Sequence, residues 1–418
     1  MKSFIYKFCN RAVIQQNLIN HFKDAKYVFF FNSNNQNEKN ILAISNSEKI
    51  EENNWKVGFI SYDYKNNIEQ LTSNGIDEIG FPDEFFFTPQ LIFEIGELAL
   101  EISYNSKVYN ETDLRILFTD LEKQQQKKYQ ANAVKISPRI TKDEYLQNVS
   151  KLKEHIQQGD IYEVNYCQEF FANQVEINPI ETYFKLNKKS PTPFSCFVKF
   201  NDKYLLCASP ERFIKKVGNK ISSQPIKGTI KRGATLAEDE QLKIQLQNDP
   251  KERSENIMIV DLVRNDLAKI AERNSVKVDE LCGIYTFPQV HQMISTISAE
   301  LKKEVDFKQI IHALFPMGSM TGAPKIRAME LIEQYEKSKR GLYSGTVGFI
   351  KPTSDFDFNV VIRSILYNAS SKNLSYFVGS AITSLSVPES EYEECLLKAK
   401  AMSEVLGAHP TLPKGGLS

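Results

Sequence analysis

The sequence Phe-Ser-Cys-Phe-Val-Lys-Phe-Asn-Asp-Lys-Tyr-Leu-Leu-Cys, residues 194–207, decides the fold class of this chain. Apolar and aromatic residues stand on both sides of Asn201-Asp202, a pair that favours a tight turn, so the stretch predicts a β-hairpin. A second hairpin is predicted over residues 212–222, with its turn at Gly218-Asn219. Because a hairpin pairs its two strands antiparallel, these strands predict an antiparallel sheet.

Helical patterns surround the hairpins without a regular alternation of strand and helix. Thr141 and Glu144 form a capping-box pattern at the start of a helix that Gly159 ends. Further helices are predicted at residues 235–247, 250–270, 307–314, 324–338 and 388–406, and strands near 343–350, 357–367 and 374–383. This order predicts an α+β protein.

The first 130 residues contain short aromatic runs between Asn-rich stretches, which is typical of short strands joined by loops. They predict an N-terminal α/β region, residues 1–130, that contributes to the same globule. The Gln- and Lys-rich residues 121–133 are the predicted boundary, although a solvated helix end explains them equally well.

Composition excludes several classes of function. The chain has 418 residues, and its 52 Lys and Arg balance 52 Asp and Glu, so we expect neither nucleic acid nor an anionic membrane as a partner. No apolar run approaches the length of about 18 residues that a membrane span needs. The N-terminus lacks a signal-peptide pattern, and six cysteines occur without a Cys-x-x-Cys pair. We therefore expect a cytoplasmic protein with reduced cysteines.

Two pairs of glutamates, Glu252 with Glu255 and Glu391 with Glu394, are candidates for metal binding. Each pair is spaced i, i+3 in a predicted helix and so shares one helix face. Asp249-Pro250 is predicted to cap the first of these helices. Carboxylates suit Mg²⁺, which typically takes one or two of them together with water and an anionic substrate. On spacing alone, a solvated helix surface explains the same pattern.

Three other features could carry chemistry. The Gly-rich residues 315–325 open a helix and could hold an anion, but no Ser or Thr follows Lys325, as a P-loop would require. Lys227, between Pro-Ile and Gly, becomes a usable nucleophile or base if it is buried. Arg363 lies in an apolar segment, where a charge needs an anionic partner, either a substrate carboxylate or an internal ion pair.

Six motifs taken together resemble those of the chorismate-utilising enzymes over roughly residues 140–404. The motifs are Gly159-Asp160-Ile161-Tyr162, Ser209-Pro210-Glu211-Arg212-Phe213, Pro225-Ile226-Lys227-Gly228-Thr229, Glu255-Asn256 with Asp261-Leu262-Val263-Arg264-Asn265-Asp266, Gly322-Ala323-Pro324-Lys325, and Glu391-Tyr392-Glu393-Glu394. The resemblance implies that residues 140–406 form a chorismate-binding catalytic region. The N-terminal region resembles the family only faintly, at residues 58–63.

The resemblance implies a fold of two packed antiparallel β-sheets surrounded by helices, with the site between the sheets. It implies Mg²⁺ held chiefly by Glu255 and Glu394, with Glu252 and Glu391 close by. Residues that match substrate-binding positions are Tyr343 and Arg363 for the enolpyruvyl carboxylate, Lys398 beside them, and Thr229, Ser319, Gly379 and Ala381 in the pocket lining.

Lys227 indicates the branch of the family. The resemblance implies lysine at this position in the aminodeoxychorismate synthases and alanine in the anthranilate synthases. Members that form isochorismate or salicylate place a base lysine at the position held here by Glu163. Both observations favour amination of chorismate at ring C4 by ammonia, which gives 4-amino-4-deoxychorismate on the way to 4-aminobenzoate and folate.

The mechanism implied by the resemblance is covalent. Lys227 attacks ring C2 while the C4 hydroxyl leaves, and ammonia then adds at C4 and releases the lysine. Glu211 matches the residue that protonates the leaving hydroxyl and later takes a proton from ammonia. Such a transferase needs ammonia from a separate glutamine amidotransferase subunit, because the chain shows no Cys-His-Glu glutaminase motif, and a lyase must complete 4-aminobenzoate.

Two alternatives stay open at this point. The chain could be an anthranilate synthase component I, or a catalytically silent chorismate-fold partner of a glutaminase. Gln292 stands where many family members have a histidine that anthranilate synthases link to aromatisation, and Ala381 replaces a glycine of that branch, so both weaken the first alternative. The neighbouring His291 is interpreted as structural.

Overall fold

Two antiparallel β-sheets packed face to face form the centre of the structure, a computed structural model that describes residues 1–8, 10–35, 38–123, 133–288 and 290–408. Within this part of the chain, twelve strands form the first sheet and nine form the second. The observed architecture confirms the predicted α+β class with two packed antiparallel sheets.

The strands, in chain order, are β1 Lys2–Lys7, β2 Tyr27–Asn32, β3 Asn40–Ser45, β4 Lys56–Ile60, β5 Glu84–Phe87, β6 Leu91–Ile95, β7 Ala99–Tyr104, β8 Ser137–Pro138, β9 Glu163–Ala172, β10 Phe194–Phe200, β11 Lys203–Ser209, β12 Arg212–Val217, β13 Lys220–Gln224, β14 Ile226–Lys231, β15 Lys277–Thr286, β16 Val290–Glu300, β17 Gly322–Ala323, β18 Thr346–Ile350, β19 Phe356–Asn359, β20 Ser364–Asn368 and β21 Asn373–Ile382. The helices are α1 Arg11–His21, α2 Lys65–Glu69, α3 Glu111–Lys123, α4 Lys142–Gln157, α5 Pro179–Lys189, α6 Leu236–Asn248, α7 Pro250–Ile270, α8 Phe307–Leu314, α9 Lys325–Tyr335 and α10 Pro388–Val405.

The first sheet has the strand order β1-β7-β6-β3-β2-β10-β11-β20-β21-β9-β17, and β8 also pairs with β9. The second has the order β14-β16-β13-β12-β19-β18-β4-β5, and β15 also pairs with β16. Strands from the N-terminal 130 residues therefore enter both sheets. The predicted boundary at residues 121–133 lies largely outside the described residues, and the division into two regions stays a prediction.

Both predicted hairpins are confirmed. Strands β10 and β11 pair across a turn at Asn201-Asp202, with Phe200 opposite Lys203. Strands β12 and β13 pair across Gly218-Asn219, where Gly218 has a φ of 59°, a left-handed conformation that glycine adopts without strain.

Alternate residues of β2 explain why the sheets pack together. Tyr27 and Phe29 point into the layer between the two sheets, where Phe59 of β4 joins them. Val28 and Phe30 point to the opposite face, into a second apolar layer that also contains Tyr145 of α4. Because both faces are covered, this strand is an apolar run without polar alternation. Helices such as α4 thus cover the outer face of the first sheet.

The predicted helices are confirmed, and their caps follow from the sequence. Thr141 Oγ1 accepts a hydrogen bond from the Glu144 amide at the start of α4. At the start of α7, the Asp249 carboxylate accepts bonds from the amides of Lys251 and Glu252, which satisfies amides that the helix itself cannot pair.

The single strand predicted for residues 357–367 is wrong. Strand β19 ends at Asn359 in the second sheet, and β20 begins at Ser364 in the first. The four residues between them carry the chain from one sheet to the other, and Arg363 has a left-handed φ of 51°. The apolar side chains among these four residues are buried by the crossing. The sequence therefore shows the same pattern as one continuous buried strand.

The five cysteines among the described residues are free and buried, in agreement with the predicted reduced state, and Cys9 lies outside the described residues. No helix in the described ranges is both long enough and apolar enough to cross a bilayer.

Candidate active site

All thirteen residues predicted for catalysis, substrate binding or metal binding line one cavity of about 630 Å³. They are Glu211, Lys227, Thr229, Glu252, Glu255, Ser319, Tyr343, Arg363, Gly379, Ala381, Glu391, Glu394 and Lys398. Strand β21 brings residues from the first sheet, β14 from the second, and helices α7 and α10 supply the two glutamate pairs. The volume suits a small organic ligand.

Lys227 reaches the cavity from β14, and its ammonium group is paired with Glu163. Its Nζ donates a 2.7 Å hydrogen bond to Glu163 Oε1, and its side chain is 10% exposed. Burial alone would lower the pKa of Lys227, but the carboxylates of Glu163, Glu255 and Glu211 outweigh burial and raise that pKa above its ordinary value. Lys227 is therefore a buried ammonium that faces the cavity.

Glu211 occupies the cavity wall directly after β11. Ser319 Oγ donates a 2.7 Å hydrogen bond to Glu211 Oε1. Glu211 is 4% exposed, and burial raises the pKa of its carboxyl to about 7. A carboxyl with this pKa can both donate and accept a proton near neutral pH.

The two glutamate pairs face the cavity, and lysines lie between their carboxylates. Lys251 Nζ is 3.5 Å from Glu391 Oε1 and 3.9 Å from Glu255 Oε1. Lys398 Nζ is 2.6 Å from Glu394 Oε1. Among the described residues, no three His, Cys, Asp or Glu side chains are close enough to hold a metal ion by themselves. The four glutamates thus share a cavity without forming a closed cluster.

Charge and burial give these carboxylates different pKa values. Burial raises the pKa of Glu255 to about 7 and raises that of Glu252. Burial would also raise the pKa of Glu394, but Lys398 outweighs it and the net pKa is lowered. A positive charge beside these groups therefore stabilises their ionised form.

The donor set fits Mg²⁺. Glu255 Oε1 is buried and has no hydrogen-bond partner among the described residues, so an oxygen of the kind that Mg²⁺ prefers is free to bind. Lys251 holds a positive charge between Glu255 and Glu391, which marks a place where the protein already stabilises a cation. Since Mg²⁺ needs only one or two protein carboxylates, the absence of a closed cluster is compatible with it.

Arg363 and Tyr343 provide groups for an anionic ligand. Within the part of the chain that the structure describes, the Arg363 guanidinium makes no hydrogen bond or ion pair, and it lines the cavity. Tyr343 is 4% exposed, and its hydroxyl lies 3.7 Å from Cys167 Sγ. A half-buried guanidinium without an internal partner favours an anionic ligand over the internal ion pair that the sequence left open.

Backbone constraints shape the same cavity. Gly228, next to Lys227, has a φ of 92°, and a Cβ there would lie 3.2 Å from Glu252 Oε2. At Gly379 a Cβ would lie 2.4 Å from Cys167 Sγ. A larger residue is therefore excluded at Gly228 by the backbone conformation and at Gly379 by the lack of space.

His291 lies outside the cavity lining and in a buried network, as its structural interpretation requires. Its Nε2 lies 2.8 Å from Asp239 Oδ1, and its Nδ1 lies 3.0 Å from Thr286 Oγ1. Gln292 does line the cavity.

Two charged residues beside the predicted site residues are not among those predicted from the sequence. The sequence marks Glu163 only as the position of an absent lysine, yet Glu163 is the ion-pair partner of Lys227. Lys251 lies between two of the predicted metal ligands. Both residues could have been predicted from the sequence. Glu163 is a charged residue at the start of a largely apolar strand, and Lys251 precedes Glu255 by one helical turn.

The sequence profile of chorismate binding enzymes matches residues 9–404, and the chain belongs to this family. Among its relatives, the aminodeoxychorismate synthase component 1 of Bacillus subtilis is 33% identical, with 84% of this chain and 76% of that protein aligned. The anthranilate synthase component 1 of Saccharolobus solfataricus is also 33% identical, over 84% of this chain and 80% of that protein. Overall identity therefore does not separate these two activities.

The probable chloroplastic aminodeoxychorismate synthase of Oryza sativa is 41% identical over 64% of this chain. The chain spans only 30% of the length of that rice protein. A solved structure of anthranilate synthase component I from Streptococcus pneumoniae has a TM-score of 0.74 at 24% identity, covering 96% of this chain and 92% of that one. This likeness supports the fold.

Proposed function

We propose that the chain is a Mg²⁺-dependent transferase that aminates chorismate at C4 with ammonia and forms 4-amino-4-deoxychorismate. The observation that carries this proposal is Lys227, a buried lysine that faces the same cavity as Glu211 and the two glutamate pairs. Its position in the Pro-Ile-Lys-Gly-Thr motif resembles the aminodeoxychorismate synthases, and several relatives bear that name.

Chorismate carries two carboxylates, and the cavity offers cationic groups for both. In this proposal Arg363 binds the enolpyruvyl carboxylate, with Tyr343 and Lys398 beside it, because a guanidinium can make two parallel charge-assisted hydrogen bonds. Glu255 and Glu394 would be the chief ligands of Mg²⁺, with Glu252 and Glu391 close by. When bound, the ion would neutralise the charge of the ring carboxylate.

Lys227 and Glu211 carry out different parts of the proposed reaction. Lys227 forms a bond to ring C2 while the C4 hydroxyl leaves, and ammonia then adds at C4 as the lysine leaves C2. Glu211 protonates the departing hydroxyl and later takes a proton from the added ammonia. Its pKa of about 7 supports both transfers, and two displacements replace one that is more difficult.

The same proposal includes a partner. Ammonia is supplied by a separate glutamine amidotransferase subunit, and a lyase then removes the enolpyruvyl group to give 4-aminobenzoate for folate synthesis. The words "component 1" in the names of several relatives support a second component.

The test is the product formed from chorismate, Mg²⁺ and ammonium by the unaltered protein and by Lys227→Ala. We expect 4-amino-4-deoxychorismate from the first and at least about a hundredfold less from the second, because the nucleophile is lost. Lys199→Ala is the matched control, since Lys199 is buried on β10 and donates to the Ala25 carbonyl away from the cavity. Chelation of Mg²⁺ should abolish turnover and its return should restore it.

An anthranilate synthase is the second candidate, because an anthranilate synthase of S. solfataricus is as similar as the B. subtilis relative. Formation of anthranilate would establish it and refute amination at C4. Tight binding of a glutaminase without any turnover of chorismate would instead indicate a silent partner.

A further inference from the structure

We propose that Glu163 is the proton partner of Lys227: it takes the proton that Lys227 loses before attack and returns that proton when the lysine leaves the substrate. This inference rests on the proposed function of Lys227 as the nucleophile. It assigns a step to a residue that is not among the catalytic, substrate-binding or metal-binding residues predicted from the sequence.

Glu163 contacts the nitrogen of Lys227 directly. It is the first residue of β9, and its side chain is 1% exposed. Lys227 lines the cavity, whereas Glu163 is absent from the described residues that line it. The 2.7 Å hydrogen bond from Lys227 Nζ to Glu163 Oε1 is therefore a path along which a proton can pass between the two side chains.

Glu163 is placed for this transfer more directly than the other carboxylates. Glu255 and Glu211 also contribute negative charge at Lys227. Across the described chain, however, Glu163 is the single carboxylate that forms an ion pair with Lys227. Glu211 is hydrogen-bonded to Ser319, and Glu255 lies near Lys251.

The second oxygen of Glu163 shows why the proton can move. Glu163 Oε2 is buried and has no hydrogen-bond partner among the described residues. A buried carboxylate with one unsatisfied oxygen is costly, and so is a buried ammonium. Transfer of one proton from Nζ to the carboxylate removes both charges. In the free protein the surrounding carboxylates hold the proton on Lys227. Chorismate in the cavity displaces water from the pair, which raises the cost of keeping both charges buried.

The proton and electron changes balance over the whole cycle. Lys227 gives one proton to Glu163, and the neutral amine bonds to C2 while the C4–O bond breaks and the hydroxide takes a proton from Glu211. The adduct nitrogen keeps two protons and a positive charge. Ammonia bonds to C4, the C2–N bond breaks, and Lys227 leaves as a neutral amine. Glu211 takes a proton from the new ammonium, and Glu163 returns its proton to Lys227.

Glutamine at position 163 tests the first proton transfer. Its amide cannot take the proton of Lys227, so the nitrogen stays an ammonium and has no free electron pair for attack on C2. We therefore expect Glu163→Gln to stop before the covalent adduct forms, unless alkaline solvent removes the proton instead.

The experiment compares kcat of the unaltered protein and of Glu163→Gln with chorismate, Mg²⁺ and ammonium at several pH values above 7, and the intact mass of each protein quenched during turnover. At pH 7 we expect kcat of Glu163→Gln to be lower by about a hundredfold or more, the lower end of the range for lost proton transfer, with no adduct on Lys227. The ratio of the two kcat values should narrow as pH rises, because alkaline solvent then takes the proton of Lys227.

Two further variants keep the result interpretable. Glu163→Asp retains a carboxylate, so at pH 7 it should turn over faster than Glu163→Gln. Glu333→Gln is the matched control, because Glu333 pairs with the buried Lys65 at 2.8 Å outside the cavity. It should leave kcat within about twofold of the unaltered protein.

Three results would overturn the proposal: turnover of Glu163→Gln within about twofold of the unaltered protein at pH 7, a ratio of the two kcat values that is the same at every pH, or Glu163→Asp no faster than Glu163→Gln. If the unaltered protein forms no aminated product, the proposed function itself fails, which is a distinct outcome.

Discussion

Replacement of Glu211 by glutamine should make the protein more stable at alkaline pH while removing its activity. Glu211 is 4% exposed, and burial raises the pKa of its carboxyl from 4.5 to about 7. The folded protein thus favours the neutral acid, and glutamine is a permanently neutral residue of the same shape. Its amide oxygen can still accept the hydrogen bond that Ser319 Oγ donates to Glu211 Oε1.

The size and sign of the effect follow from these pKa values. Below about pH 4.5 the carboxyl is protonated in both the folded and the unfolded chain, so it does not lower the free energy of unfolding. Between about pH 4.5 and 7 only the unfolded chain ionises, and the free energy of unfolding falls as pH rises. The total loss is about 3 kcal/mol and is complete above about pH 7. Glu211→Gln avoids this loss.

For a chain of 418 residues, an unfolding entropy of about 2.1 cal/mol/K per residue converts 3 kcal/mol into about 3 °C. The assay is thermal unfolding of both proteins without metal or chorismate, at pH 4.5 and pH 8.5. We expect the Tm advantage of Glu211→Gln to grow by about 3 °C between these conditions, and turnover to fall by about a hundredfold or more. Glu389→Gln, on the exposed surface, should change neither quantity.

A Tm difference that does not change with pH would refute a raised pKa for Glu211. Turnover by Glu211→Gln at the unaltered rate would refute the proposed role of Glu211 as the acid, whatever the effect of the substitution on stability.

Three further predictions follow from single contacts. Arg363→Met should raise the KM for chorismate by at least about tenfold without lowering Tm, because its guanidinium has no ion-pair partner among the described residues; an unchanged KM would contradict this. Arg340→Met should cost about 3–5 kcal/mol in thermal unfolding, because it leaves Glu336, 2.6 Å away, buried and unpaired; a loss below about 1 kcal/mol would contradict it. Gly228→Ala should cost about 1–2 kcal/mol, because its φ is 92°, and an unchanged Tm would show that the backbone can relax.

The sequence predicted turns and helix caps correctly, because these depend on residues that are close together in the chain. The turn at Asn201-Asp202 and the cap at Asp249 involve residues close in the chain, and both are present. The pairing of β2 with β10, which joins N-terminal strands to the rest of the first sheet, involves residues more than 160 positions apart, such as Asn32 and Ser195. Such pairing is set by the tertiary packing of the whole chain.

The break between β19 and β20 also depends on tertiary packing, so the sequence alone did not predict it. Residues 357–367 are largely apolar and read as one strand, but burial between two sheets gives the same pattern as burial within one. Only the packing of both sheets places the crossing at residues 360–363. The family motifs did indicate the residues that line the cavity, whereas the ion pair of Glu163 with Lys227, 64 positions apart, required the fold.

In the proposed function, this chain transfers ammonia to C4 of chorismate. The measurement that tests this transfer uses ¹⁵N-ammonium with chorismate and Mg²⁺, followed by NMR of the product to find the ring carbon bonded to ¹⁵N. We predict the label on C4 of a product that retains its enolpyruvyl group. Label on C2, or on an aromatic product that has lost this group, would contradict amination at C4.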